Sequence, residues 1–125
     1  MEENLIKKVN LENGLDMEFY DSSKKIAGDR WQVKLIVKIE IPVSDYLKDI
    51  EADLDADEVL KTLGQSIVYE KSMERNFIDN EEKEKLINDF CDSFLKSASP
   101  YLSVPNFPAQ FIVTKYGEKK SAKFR

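Results

Sequence analysis

From Trp31 to Val43 apolar and polar residues alternate almost without a break: Trp31, Val33, Leu35, Val37, Ile39, Ile41 and Val43 against Gln32, Lys34, Ile36, Lys38, Glu40 and Pro42. Successive side chains of an extended chain point to opposite faces, so this pattern predicts a strand with one face on a core and the other in water. Thirteen residues at ~3.3 Å each would span ~43 Å, well beyond the usual strand. The segment should therefore bend or bulge, and pair along different stretches with different neighbours.

Segments 5–11 and 15–21 read as a hairpin around Asn13-Gly14. A two-residue turn would set Leu11 opposite Asp16 and Glu12 opposite Leu15, apolar against acidic. A three-residue loop, Glu12-Asn13-Gly14, pairs Leu11 with Leu15 and Val9 with Met17. That loop places a residue in the left-handed region, which suits Gly14. Residues 22–29 read as a polar connection that turns at Gly28.

After Pro42 the period changes. Leu47, Ile50 and Leu54 are spaced for a short helix, with Ser44 as its N-cap. Asp55 caps a second one, with Glu58 at the capping-box position, Val59, Leu60 and Leu63 inward, and Gly64 at its end. Residues 66–75 predict a fourth strand, with Ile67, Tyr69 and Met73 on one face and Val68 on the other. The longest helix is expected over 80–98, capped by Asp79 or Asn80, with an apolar stripe of Ile87, Phe90, Cys91, Phe94, Leu95 and Ala98. Pro100 should stop it and open a proline-punctuated loop over 100–107. Pro108, Phe111–Val113 and Gly117 suggest a last short helix, although a strand at 110–116 fits nearly as well.

These elements imply one α+β domain in the order β-β-β-α-β-α-α: a mainly antiparallel sheet anchored by Trp31–Val43, with the 80–98 helix on its apolar face. The domain is expected over 1–117, followed by a basic tail at 118–125. Composition agrees with a single core: 42% of the 125 residues are hydrophobic, including seven Phe, five Tyr and one Trp.

Charge and chemistry narrow the function mainly by exclusion. There is no histidine and one cysteine, Cys91. This removes His-dependent nucleophile systems and nearly every zinc, copper and non-haem iron site. Cys91 lies inside an apolar stripe, where burial makes a thiol inert. The run Asp49, Glu51, Asp53, Asp55, Asp57, Glu58 imitates the start of a calcium loop. Glu58 and Gly64 then stand where that loop needs glycine and a bidentate glutamate, so no metal site is expected. The net charge is −5, and residues 115–125 are basic, leaving the rest of the chain at −9. Nucleic acid is disfavoured as a partner. The start Met1-Glu2-Glu3 lacks a signal-peptide pattern, and no apolar run is long enough for a membrane helix, which suggests a cytoplasmic protein without a membrane partner.

Two clusters stand out as candidate ligand sites. Arg75 and Asn76 sit where strand gives way to helix, a setting for an anion. Tyr101 and Phe107, with Leu102, Val104 and Phe111, make an aromatic, proline-framed segment suited to a groove. Tyr69 joins them as a residue for carboxylate, Tyr and Arg chemistry. No catalytic residue and no cofactor are assigned. The leading expectation is a non-catalytic binding or regulatory module that takes a protein partner or forms a homodimer through a sheet face or edge. The alternative is a small-molecule- or anion-binding protein, or an enzyme, working without His or metal.

Overall fold

A computed structural model describes residues 3–50 and 53–122 of the chain. The sheet has five strands, all antiparallel: β1 (Asn4–Asn10), β2 (Asp16–Asp21), β3 (Lys24–Ala27), β4 (Arg30–Pro42) and β5 (Ser66–Asp79). Between β4 and β5 lie α1 (Val43–Tyr46), a 3-10 turn (Leu47–Asp49) and α2 (Ala56–Leu63). Two longer helices, α3 (Lys83–Leu102) and α4 (Phe107–Ala122), close the chain. The mainly antiparallel α+β domain anticipated from the patterning is therefore present, with one more strand and one more short helix.

The hairpin register follows the apolar pattern. Val9 faces Met17, and the Leu11 N–H donates to Leu15 O at 2.7 Å, with Gly14 at φ +89°. β4 is the centre of the sheet and does pair with different neighbours along its length. One edge takes β3 at residues 30–32 and β2 at 35–39, while the other takes β5 from Arg30 to Pro42.

The segment 22–29 is not a plain connection. Residues 24–27 form β3, because Ser22 and Ser23 carry the chain along the β4 edge: Ser22 N–H donates to Lys34 O at 2.9 Å and Lys34 N–H to Ser23 Oγ at 3.0 Å. β5 also runs past residue 75 to Asp79, across a bulge in which Asn76 and Phe77 lie opposite Gln32.

One sheet face forms the core. Met17 and Phe19 of β2 and Val33, Leu35, Val37, Ile39 and Ile41 of β4 are all fully buried. Ile87, Cys91, Phe94, Ala98 and Leu102 of α3 pack against them, with Phe94 edge-on to Phe19 at 6.1 Å between ring centres. α4 contributes Ile112 and Tyr116 and lies beside α1 and α2.

α3 does not stop at Pro100. The helix runs to Leu102, and Ser103 N–H still donates to Ser99 O at 3.0 Å. Proline removes one helical donor, but the next turn seats Leu102 with no exposed surface, and that burial outweighs the lost bond. The expected 100–107 loop thus shrinks to 103–106. The segment 108–116 is helical, not a strand, and α4 continues through Ala122 into the basic region. Met1, Glu2, Glu51, Lys123, Phe124 and Arg125 lie outside the described residues.

Candidate functional site

Tyr69, Tyr101 and Phe107 meet at one end of β5. Inward-facing Tyr69 lies edge-on to Phe107 at 5.8 Å and to Phe111 at 5.6 Å, and the two phenylalanines are 5.7 Å apart. Edge-to-face rings set a positive rim against a negative face, which holds such clusters in a definite geometry. Burial, reinforced by the Tyr101 hydroxyl beside it, pushes the Tyr69 phenol up to about 12. A phenol this weakly acidic stays protonated near neutrality and is no base there. Tyr101 itself is 54% exposed.

Arg75 and Asn76 are elsewhere. Six residues further along β5, at ~3.3 Å each, puts Arg75 ~20 Å from Tyr69. Its guanidinium lies 5.7 Å from the centre of the Phe90 ring, in a shallow depression shared with Glu82 and Asp89. Lys85 lines the same depression, so its two cations and two carboxylates balance. Asn76 Oδ1 accepts from Gln32 Nε2 at 3.1 Å, so its side chain serves the bulge. Asp79 accepts from Glu81 N–H at 3.1 Å, and its carboxylate lies 3.7 Å from Arg30. The five sequence candidates therefore divide into an aromatic group of three and a polar pair at the far end.

The acidic run is dispersed. Asp49 lies in the 3-10 turn, Asp55 caps α2 by accepting from Asp57 N–H at 3.0 Å, and Glu58 pairs with Lys120 of α4. Among the described residues no group of three or more His, Cys, Asp or Glu is placed to hold a metal ion. Cys91 is buried, which raises its thiol pKa. Two of the basic residues near the C-terminus engage carboxylates, Lys115 with Glu118 at 3.3 Å and Lys120 with Glu58 of α2. No helix among the described residues is long and apolar enough to cross a membrane.

Two features were not singled out from sequence. The first is an open depression of ≈ 400 Å³ between the 3-10 turn and α4, with Ile50, Ala109 and Val113 as its apolar floor and Asp49, Asn106, Gln110 and Thr114 as polar groups. The spacing of Asn106, Gln110 and Thr114, one per helical turn, is the signal that marks this face. The second is the edge of β5, fourteen residues paired with β4 and with no other strand among the described residues. Its signal is the doublet Glu70-Lys71, repeated as Glu74-Arg75. Period-two alternation puts both glutamates on the outer face and both cations on the helix face.

Models of known protein families, curated proteins and solved structures all return no match to this chain.

Proposed function

We propose that the protein is a non-catalytic binding module that takes an extended segment of a partner polypeptide along the free edge of β5. The free edge itself carries this reading: a long strand with one unpaired row of backbone N–H and C=O groups is a template for another strand. Val68 and Phe77 lie toward its two ends, 47% and 69% exposed, as apolar contacts for an incoming chain.

Charge selects the partner. The outer-face glutamates Glu70 and Glu74 already face Lys38 and Lys34 of β4. Lys71 and Arg75 on the helix face stand opposite Val37 and Val33, so neither meets a charge across the strand pair, although Arg75 also borders Glu82 and Asp89. An added strand that places acidic residues four apart meets both cations, Lys71 most directly.

A second β5 does the reverse. Antiparallel pairing centred on Ser72 sets Glu70 against Glu74, and centring on Met73 sets Lys71 against Arg75. Centring on Glu70, Lys71 or Glu74 sets each against itself. Like charges directly opposite are destabilising, so the favoured partner is a different chain, and a homodimer through this edge is disfavoured.

The test is a set of extended peptides carrying the antiparallel order acidic-basic-x-x-acidic-basic, compared with charge-reversed controls by amide NMR. Protection of β5 amides by the patterned peptides is expected, with at least tenfold weaker binding to Lys71→Glu/Arg75→Glu. Absence of β5 protection by any peptide, or β5 protection that arises from concentration-dependent self-association, overturns the reading.

The depression beside α4 supports a second reading, a small amphipathic ligand held by Gln110, Thr114 and Asp49 over an apolar floor. Ligand-induced shifts confined to Asn106, Gln110 and Thr114 would favour it over the strand-addition reading.

A further inference from the structure

Asn13-Gly14 is the chain's one Asn-Gly pair, and its side chain has an unusual position. Asn13 Nδ2 donates to Leu102 O at 2.8 Å and to Val104 O at 3.0 Å, while its Oδ1 accepts from Leu15 N–H at 3.2 Å. A residue in the β1–β2 loop thus satisfies carbonyls at the end of α3 and in the α3–α4 turn, 89 and 91 residues away in sequence. The neighbouring Gly14 N–H is also occupied, donating to Leu11 O at 2.9 Å.

Glycine after asparagine has no Cβ to hinder approach of its backbone nitrogen to the side-chain amide. We infer that Asn13 is a deamidation site, and that its conversion permanently unlatches the turn between α3 and α4. The Gly14 nitrogen forms a bond to Asn13 Cγ, the Cγ–Nδ2 bond breaks, and ammonia leaves with the Gly14 proton. Water then adds at either carbonyl of the resulting five-membered imide, opening it to aspartate or isoaspartate. The net change is one water taken up and one ammonium released. No oxidant, reductant or enzyme is required.

In the closed turn both reacting groups are held by their own hydrogen bonds, so the reaction waits on local opening. Once it has occurred, the turn cannot reclose in the same way. A carboxylate has no donor for Leu102 O or Val104 O and sets a negative charge against both oxygens. The effect then reaches the aromatic cluster, because the freed segment leads from Tyr101 to Phe107, both packed near Tyr69. The other asparagines, Asn4, Asn10, Asn76, Asn80, Asn88 and Asn106, precede Leu, Leu, Phe, Glu, Asp and Phe, whose side chains obstruct the same attack.

The full chain, aged at mildly alkaline pH with and without low urea, tests this by peptide mapping and hydrogen exchange. Asn13 is expected to convert before any other asparagine, and faster in urea. In the converted fraction the Ser103 and Phe107 amides should exchange about tenfold faster or more, as expected for the loss of a satisfied hydrogen-bond network, while β4 amides stay protected. Asn13→Asp should reproduce that exchange pattern. If this variant fails to fold, the aged wild-type fraction, folded when it was modified, still carries the measurement. Earlier conversion of another asparagine, a rate indifferent to urea, or unchanged exchange at Ser103 and Phe107 would overturn the inference.

Discussion

β4 and β5 are neighbours of thirteen and fourteen residues, hydrogen-bonded along nearly their whole length, yet their environments are opposite. In β4, Val33, Leu35, Val37, Ile39 and Ile41 are completely buried, and even outward-facing Ile36 keeps only 7% of its surface, opposite Tyr20 and beside Lys38. In β5 no residue is fully buried, and the inward row of Ile67, Tyr69, Lys71, Met73 and Arg75 mixes apolar with cationic side chains. A strand paired on both edges can be apolar on one face throughout, because neighbours exclude water from it. A strand paired on one edge must protect itself, and charges along it are the usual device. β5 therefore shows a partly exposed backbone flanked by charges, the pattern on which the proposed partner selection rests, while β4 is paired on both edges and buried on one face.

The directly opposed pair Leu35 and Met73 gives the sharpest break of this comparison. Leu35→Ala empties a fully enclosed site and should cost about 3 kcal/mol. Met73→Ala removes a half-buried side chain and should cost about 1 kcal/mol. Urea denaturation of the two variants measures both, and equal losses would mean that β5 is as buried as β4.

Tyr69 is the place where β5 comes nearest to a core strand, and pH reads it. The folded phenol titrates at about 12 against an ordinary 10.0. Below pH 10 both folded and unfolded chains keep the proton, and stability is unaffected. Between pH 10 and 12 the unfolded chain loses it first, so stability falls as pH rises. Tyr69→Phe should flatten that alkaline limb, at the cost of a hydrogen bond of about 1 kcal/mol at neutral pH. An unchanged limb would place the burial effect elsewhere.

Phe77, at φ +60° in the β5 bulge, holds a conformation that glycine adopts without strain. Phe77→Gly should raise stability by about 0.5–1 kcal/mol, after the extra freedom of glycine in the unfolded chain is counted. A loss in its place, seen by thermal unfolding, would assign the exposed ring a packing role. The smallest effect belongs to Lys71→Glu, which should leave stability within about 0.5 kcal/mol while weakening the patterned peptides. Stability and binding would then separate along a single strand.

How much of this was legible depended on whether the signal was local. The Leu11–Leu15 and Val9–Met17 pairings follow from matching apolar positions, and Asp55, Val59 and Gly64 bound α2 where capping chemistry puts its ends. β3 was hidden because Lys24-Lys25-Ile26-Ala27 has little alternation, and it is a strand only because β4 offers it an edge. Pro100 misled because its local cost is real, but Leu102 is seated by residues far away in sequence. Helix and strand were balanced for 108–116, where Phe111, Ile112 and Val113 are apolar in succession. Packing beside α2 and against Tyr69 decided for the helix. Of the site candidates, Tyr101 and Phe107 announced themselves as a cluster, while the separation of Arg75 and Asn76 from them required the strand's length.

Sequence by itself determined the central strand, the bulged hairpin, the helix-covered face and the absence of histidine chemistry, because each depends on residue type and on spacing of a few residues. Tertiary structure alone decided that β5 keeps a free edge among the described residues, that Phe77 accepts a left-handed backbone, and that Asn13 holds Leu102 and Val104. The physical reason is common to all three. An unpaired edge, a strained residue and a bond across some ninety positions are properties of what the folded chain brings together or leaves apart, and no local pattern encodes them.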